Sequence, residues 1–292
     1  MKVILVGNCQ VEHIANFMQQ AVSDESVEIT AAKPVYLIEP EEVAELHNQI
    51  KHCDLLICQP IGDEYRSNIG LGTKFLINLL PDTGKALVIP NLYYDASFPT
   101  FGYFKDSAGE AIRASDPMWS QNLPWGDYHD YLLFAAVVSG LNGSDYVRLV
   151  QQKSGWDIEA IRNNSLLQME KRDASCDIKG IEIFESFDAD ELASAFHSYN
   201  HPTNKLMLEL SERILKKISV NYTKLENDSE RLLHPKLPIY SFTTGFNSFS
   251  EETLLNSFEI YKSEYVANIQ KILPNVVSKQ FLDVCKLLLE VQ

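Results

Sequence analysis

Four short apolar runs, separated by stretches of helical periodicity, constrain this chain more than any other feature. Val3-Ile4-Leu5-Val6 stops at Gly7, and a second run spans 35–38, from Val35 to Ile38. The third is Leu55-Leu56-Ile57-Cys58, before Gln59-Pro60, and the fourth is Ala86-Leu87-Val88-Ile89, before Pro90-Asn91. Between the first two, Val11, Ile14, Ala15, Met18 and Val22 fall on one helical face. Strands that are apolar throughout are buried on both sides, and helices between them make parallel connections. The expected fold is α/β: an open, mostly parallel sheet flanked by helices.

Downstream, residues 96–127 are rich in Pro, Gly and aromatics, including Phe98, Phe101, Trp119 and Trp125, and read as a long ordered loop or lid. A helix is expected from Asp130 toward Gly140, a short one from Ser144-Asp145, and an exposed one over 157–173. Residues 195–200 read as one more strand, and Leu206, Leu210, Ile214 and Ile218 mark an amphipathic helix after Pro202. Ser248-Phe249-Ser250-Glu251 has capping-box spacing and opens a helix that Pro274 ends; a last helix carries Val277, Phe281, Val284 and Leu288. This divides the chain into an α/β domain over 1–220 and an all-helical C-terminal region, 221–292, packed on it.

Charge narrows the partners. The chain has 292 residues, with 25 Lys and Arg against 40 Asp and Glu, for a formal net charge of −15. Without a concentrated basic run it is not expected to neutralise nucleic-acid phosphates. The longest apolar run, Tyr131 to Val138, is too short to span a bilayer, and the start of the chain lacks a signal-peptide core, so a cytoplasmic location is expected. The cysteines are Cys9, Cys53, Cys58, Cys176 and Cys285, an odd number that argues against a disulfide framework.

Chemistry is expected at one sheet edge, because Asn8-Cys9-Gln10, Gln59 and Asn91 each follow a strand. Cys9 reads either as a small buried residue or as a nucleophile in the first turn of a helix, where unpaired N–H groups and the helix dipole favour thiolate. Those N–H groups, Gln10 and Asn91 suit an oxyanion. His201, at a strand–helix junction, and His129, beside Asp130, are the candidate bases, each equally readable as a structural histidine; His13, His47, His52 and His234 read as surface residues. His197 and His201 lack the rest of a zinc pattern, and no metal is expected. Gly70-Leu71-Gly72-Thr73-Lys74 fits no phosphate-loop spacing and reads as a turn into a helix.

Gly7-Asn8-Cys9-Gln10, Ile89 to Asp95, Gly126-Asp127-Tyr128-His129 and Phe196 to Thr203 together resemble the WcbI-type polysaccharide biosynthesis proteins over residues 1 to about 218. The resemblance implies a coenzyme A-binding acetyltransferase acting on a sugar of a capsular or surface polysaccharide, with acetyl-CoA as donor and a glycan as acceptor. The arrangement is also distantly similar to SGNH-type hydrolases, with Cys9, Asn91 and His201 in the nucleophile, oxyanion and base positions. It departs from them in having Cys for Ser and in lacking Asp-x-x-His. Asn8, Gln59, Arg66, Lys74, Tyr93 and Lys205, with Arg113, are the candidate coenzyme A contacts. An esterase or deacetylase acting on a glycan, or a non-catalytic module of a polysaccharide assembly complex, are the alternative functions. The sugar, the acyl group and the oligomeric state are not specified by the sequence.

Overall fold

The computed structural model describes residues 1–67, 69–106, 111–151, 157–225 and 251–272. His234, Cys285, the capping box at Ser248 to Ser250, the stop at Pro274 and the last helix over 277–288 lie outside the described residues. Two compact units emerge, each assembled from separate stretches of chain. The first takes in residues 1–94, 166–196 and 200–225, the second 95–165, 197–199 and 251–272.

The first unit is built on strands β1 (Lys2–Val6), β2 (Glu28–Ala31), β3 (Leu55–Cys58) and β4 (Lys85–Val88), all parallel, in the order β2-β1-β3-β4. Helices α1 (Gln10–Ala21), α2 (Val43–Ile50) and α3 (Thr73–Ile77) connect successive strands. One sheet face, with Ile4, Val6, Leu56 and Cys58, packs on Val43, Leu46 and Ile50 of α2 and Leu76 of α3. Helix α1 buries Val11, Ile14, Ala15 and Met18 and packs on α9 (Asn204–Lys217), which buries Leu206, Leu210 and Ile214. The expected α/β fold is therefore the one present, and the central strands are apolar over Val3 to Val6 and Leu55 to Cys58 because both their faces are covered there.

The second strand departs from the expected place. It is Glu28–Ala31, not 35–38, and only Ile29 of its four residues is buried. As an edge strand it needs one apolar face, so it lacks the continuous run that marks β1 and β3. Val35 and Ile38 are buried loop residues packed against the sheet instead. Asp130 caps α4 (Tyr131–Val138) through Leu132 N, α5 is Gly143–Gln151, and Gly72 precedes α3 as expected of the 70–74 turn. Helix α6 (Ile158–Arg172) is not wholly exposed, since Ser165 and Met169 are fully buried. α7 (Gly180–Phe184) and α8 (Ala189–Ser194) follow, then the short strands β7 (Phe196–Ser198) and β8 (His201–Pro202).

In the second unit, β5 (Phe101–Gly102) pairs antiparallel with β6 (His129–Asp130), and α10 (Glu251–Ile272) packs on α4 and α5. Its core is aromatic. Phe101, Phe104, Trp125, Phe134, Tyr146, Phe258, Tyr261 and Tyr265 are all buried to within 2%. The described part of 96–127 thus supplies core residues, and Trp119 and Trp125 lie in that core, not on a surface open to a sugar. Among the described residues no helix is long and apolar enough to cross a membrane.

Candidate active site

In the order β2-β1-β3-β4 the chain leaves β1 in one direction and returns past it to β3 on the other side. A parallel sheet opens a crevice at such a reversal, at the carboxyl ends of the two strands. The turn Gly7-Asn8-Cys9 after β1 and Gln59 after β3 meet there. Gly7 is required by close approach: a Cβ at this position would lie 2.4 Å from Gln59 Oε1 and 2.7 Å from the Val11 side chain. The Asn8 N–H donates to Gln59 Oε1 at 2.8 Å, and Asn8 Oδ1 accepts from the Gln10 N–H at 2.9 Å, closing the first turn of α1. Asn8 Nδ2 in turn donates to Asn91 Oδ1 at 3.0 Å. One hydrogen of Asn8 Nδ2 and both of Asn91 Nδ2 have no partner among the described residues, and both side chains are half-buried.

Gln10 is placed differently from the oxyanion donor expected. Its Nε2 donates to Leu92 O at 2.9 Å and Asn200 O at 3.0 Å, while its Oε1 accepts from Leu92 N at 3.1 Å and Gln59 Nε2 at 3.2 Å. A carboxamide offers two hydrogens and two lone pairs, and all four are used. Gln59 uses three of its four: its Nε2 donates to Gln10 Oε1 and to Pro90 O at 3.4 Å, and its Oε1 accepts the Asn8 N–H. Both amides are 2% exposed. They tie the segments after β1, β3 and β4 to the 199–200 turn and leave no side-chain N–H for a cofactor. The Asn200 bond brings the His201 backbone to the residue that follows Cys9.

Cys9 is half-buried and immediately precedes α1, with helical backbone angles of −57° and −18°. Burial pushes its thiol above the usual range; its own backbone N–H and the Tyr36 side chain offset this in part, and Glu12 adds to it. Desolvation thus acts against the thiolate that the helix N-terminus favours and towards the thiol. Tyr36 was not foreseen. No spacing rule links it to Cys9, and its approach depends on a turn described below.

His129 belongs to an aromatic core. It lies in the second unit, fully buried, stacked on Phe104 with ring centroids 4.0 Å apart and flanked by Trp119, Tyr261 and Tyr265. Its Nδ1 meets the Tyr265 hydroxyl at 3.1 Å. The neighbouring Asp130 does not orient it, because that carboxylate accepts from Leu132 N and from the Tyr146 hydroxyl at 2.7 Å. Burial pushes the ring's pKa down to about 3. Below the ordinary value of about 6.5 the unfolded chain binds a proton that the fold refuses. Stability present above that pH therefore falls by about 1.4 kcal/mol per unit on acidification, down to about pH 3. Between pH 6.5 and 5, denaturant unfolding of wild type should lose about 2 kcal/mol more than His129→Phe. Equal losses in both proteins would show that the ring is not held neutral.

His201 sits half-buried in β8, in the first unit, with Cys9. His197 and His201 lie in β7 and β8, not on one helix. Among the expected coenzyme A contacts, Lys74 is 85% exposed and 3.5 Å from Asp63, Lys205 pairs with Glu191 at 3.1 Å, and Arg113 pairs with Asp127 at 2.9 Å in the second unit. Tyr93 lies beneath the Arg172 guanidinium, 4.2 Å from the ring centroid, a cation the sequence reading had not singled out. Arg66 Nη1 donates to Val35 O at 3.4 Å and to Ile38 O.

Comparison with known proteins adds a family. The model of the polysaccharide biosynthesis enzyme WcbI matches residues 2–223. A solved structure described as WcbI, a novel polysaccharide biosynthesis enzyme, in its native form without a disulfide bond between coenzyme A and one of its cysteines, is similar at 19% identity. The similarity covers 98% of each chain at a TM-score of 0.68, which establishes a shared fold. A search of curated proteins found no match.

Proposed function

The chain belongs to the WcbI family of polysaccharide biosynthesis enzymes, and on that footing we propose that it transfers an acetyl group from acetyl-CoA to a sugar hydroxyl. The observation that carries this reading is the pair of linked carboxamides, Asn8 and Asn91, which retain uncommitted N–H groups next to the half-buried Cys9, with the His201 strand tied in through Asn200 O. Such a grouping suits a thioester: amide donors for the carbonyl oxygen, and a soft thiol beside the sulfur. The solved relative is described by the absence of a disulfide between coenzyme A and one of its cysteines, and a donor whose sulfur end lies at Cys9 is in keeping with that pairing of names.

In this scheme His201 accepts the proton of the sugar hydroxyl as its oxygen attacks the thioester carbonyl, a role worth about 10²–10⁴-fold in rate. Asn91 Nδ2 and Asn8 Nδ2 hold the oxygen as it becomes negative. The C–S bond then breaks, and the departing thiolate is met by the Cys9 S–H and finally takes the proton held on His201. Cys9, favoured as a thiol by its burial, is a donor here and not a nucleophile. Gln10 and Gln59 hold the donors in place.

Calorimetric titration with coenzyme A and with acetyl-CoA tests the first requirement before any acceptor sugar is known. Saturable one-site binding of both ligands is the expected result. No heat at millimolar ligand would sink the transferase reading in favour of a glycan esterase, which uses water and needs no donor.

A further inference from the structure

The sequence brings no residue of the 32–39 loop to Cys9, yet four bonds shape that loop and seat it on the turn after β1. Val35 N–H donates to Gly7 O at 2.9 Å, seating the loop on the turn after β1. Leu37 N–H donates to Pro34 O at 2.7 Å, closing a tight turn with Tyr36 at its tip. On the far side, Arg66 Nη1 donates to both Val35 O and Ile38 O, the carbonyls that bracket Tyr36. Arg66 does so from a left-handed backbone conformation, φ 48° and ψ 51°. A non-glycine residue keeps that conformation only where its surroundings enforce it. Tyr36 is thereby presented at the turn that carries Cys9, and its side chain favours the ionised form of that thiol.

We propose that Tyr36, clamped by Arg66, is a positioning residue of the acyl-transfer site: its hydroxyl donates to Cys9 Sγ, directs the S–H toward the departing sulfur and strengthens it as a donor. This rests on the transferase reading for its consequence, but not for its geometry. The tyrosine has only one hydroxyl hydrogen, so when it is given to Sγ the cysteine's own hydrogen is turned elsewhere. A sulfur that accepts a hydrogen bond also releases its proton more readily, which opposes the burial and the Glu12 carboxylate that act on Cys9. Arg66, expected from the sequence to meet a phosphate, is here a support for the loop.

The direct test is iodoacetamide alkylation of Cys9 across pH, followed by peptide mapping so that other thiols do not contribute. Tyr36 is 37% exposed, so Tyr36→Phe is expected to fold normally, as circular dichroism will verify. At pH 8 its Cys9 should react about tenfold more slowly than wild type, the worth of one hydrogen bond to a thiolate. Arg66→Ala should slow the same reaction, and the double variant should slow it no further than the stronger single one. In turnover assays Tyr36→Phe should lower kcat by a similar factor with KM for acetyl-CoA unchanged. Identical alkylation profiles in wild type and Tyr36→Phe would overturn the proposal. So would unchanged alkylation in Arg66→Ala combined with weakened coenzyme A binding, which would return Arg66 to a phosphate contact. A shifted alkylation profile with unchanged kcat would remove the positioning role. Because alkylation needs neither donor nor acceptor, a protein that binds no coenzyme A would fail the transferase reading while this arm still decided the Tyr36 contact.

Discussion

Replacing His201 with alanine is expected to lower kcat for sugar acetylation about 10²–10⁴-fold while KM for acetyl-CoA stays within about threefold. The reasoning is that a general base acts only as the hydroxyl attacks, so its loss appears in the chemical step and not in donor binding. His201 is half-buried in a two-residue strand, and its removal opens no core cavity. The variant should keep the wild-type unfolding midpoint within experimental error, which separates lost chemistry from lost fold. The pH–rate profile supplies a second readout: the limb that rises with deprotonation of the base in wild type should be absent in His201→Ala. His129→Phe is the control, since that ring is sealed among Phe104, Trp119 and Tyr265 and takes no part in the proposed reaction. If His201→Ala retained more than about a third of wild-type kcat, general-base catalysis by this residue would be excluded.

The reach of sequence reasoning follows from the range of the interactions involved. β1 and β3 announce themselves because a central parallel strand must be apolar on both faces, a property written within four or five consecutive residues. β2 is an edge strand with one buried residue, so its signal is weaker than that of the buried loop just after it. The clustering of the candidate residues was legible for the same reason: polar residues directly after apolar strands mark the carboxyl edge of the sheet. Their roles were not. Asn8, Gln10, Gln59 and Asn91 look alike in sequence as amides available to a ligand. Which of them retains a free N–H depends on partners as distant as Asn200, 190 residues from Gln10. His129 shows the converse. Asp130 next to His129 suggested a tautomer-setting pair, but the carboxylate caps α4 and holds Tyr146, while the histidine lies in an aromatic core assembled from α10. Cys9 likewise has a local feature, the helix N-terminus, that favours thiolate, and a tertiary one, burial, that opposes it. Charge and dipole arguments made from sequence see the first and not the second.

Gln10→Ala should be the most destabilising single change in the first unit's polar network, by about 3–5 kcal/mol in denaturant unfolding. The alanine would strand Leu92 N–H and Leu92 O, take one donor from Asn200 O and leave Gln59 Nε2 with Pro90 O alone. Each buried polar group left unpaired costs about 1–3 kcal/mol, and water entering the vacated space returns part of that total. Gln10→Glu separates hydrogen bonding from volume. A carboxylate of nearly the same shape can still accept from Leu92 N–H, but it cannot donate to the carbonyls of Leu92 and Asn200, and it brings a charge into a site 2% exposed. It should therefore be at least as destabilising as alanine at pH 7 and should recover stability on acidification, when the protonated acid regains one donor. Loss of the Asn200 bond also frees the segment carrying His201 from the residue after Cys9. Activity measured well below the variant's own unfolding temperature should then fall further than its folded fraction accounts for. A Gln10→Ala protein within about 1 kcal/mol of wild type would mean that the four bonds are replaceable by water. In that case the amide would again be available as the oxyanion donor that its position after β1 first suggested.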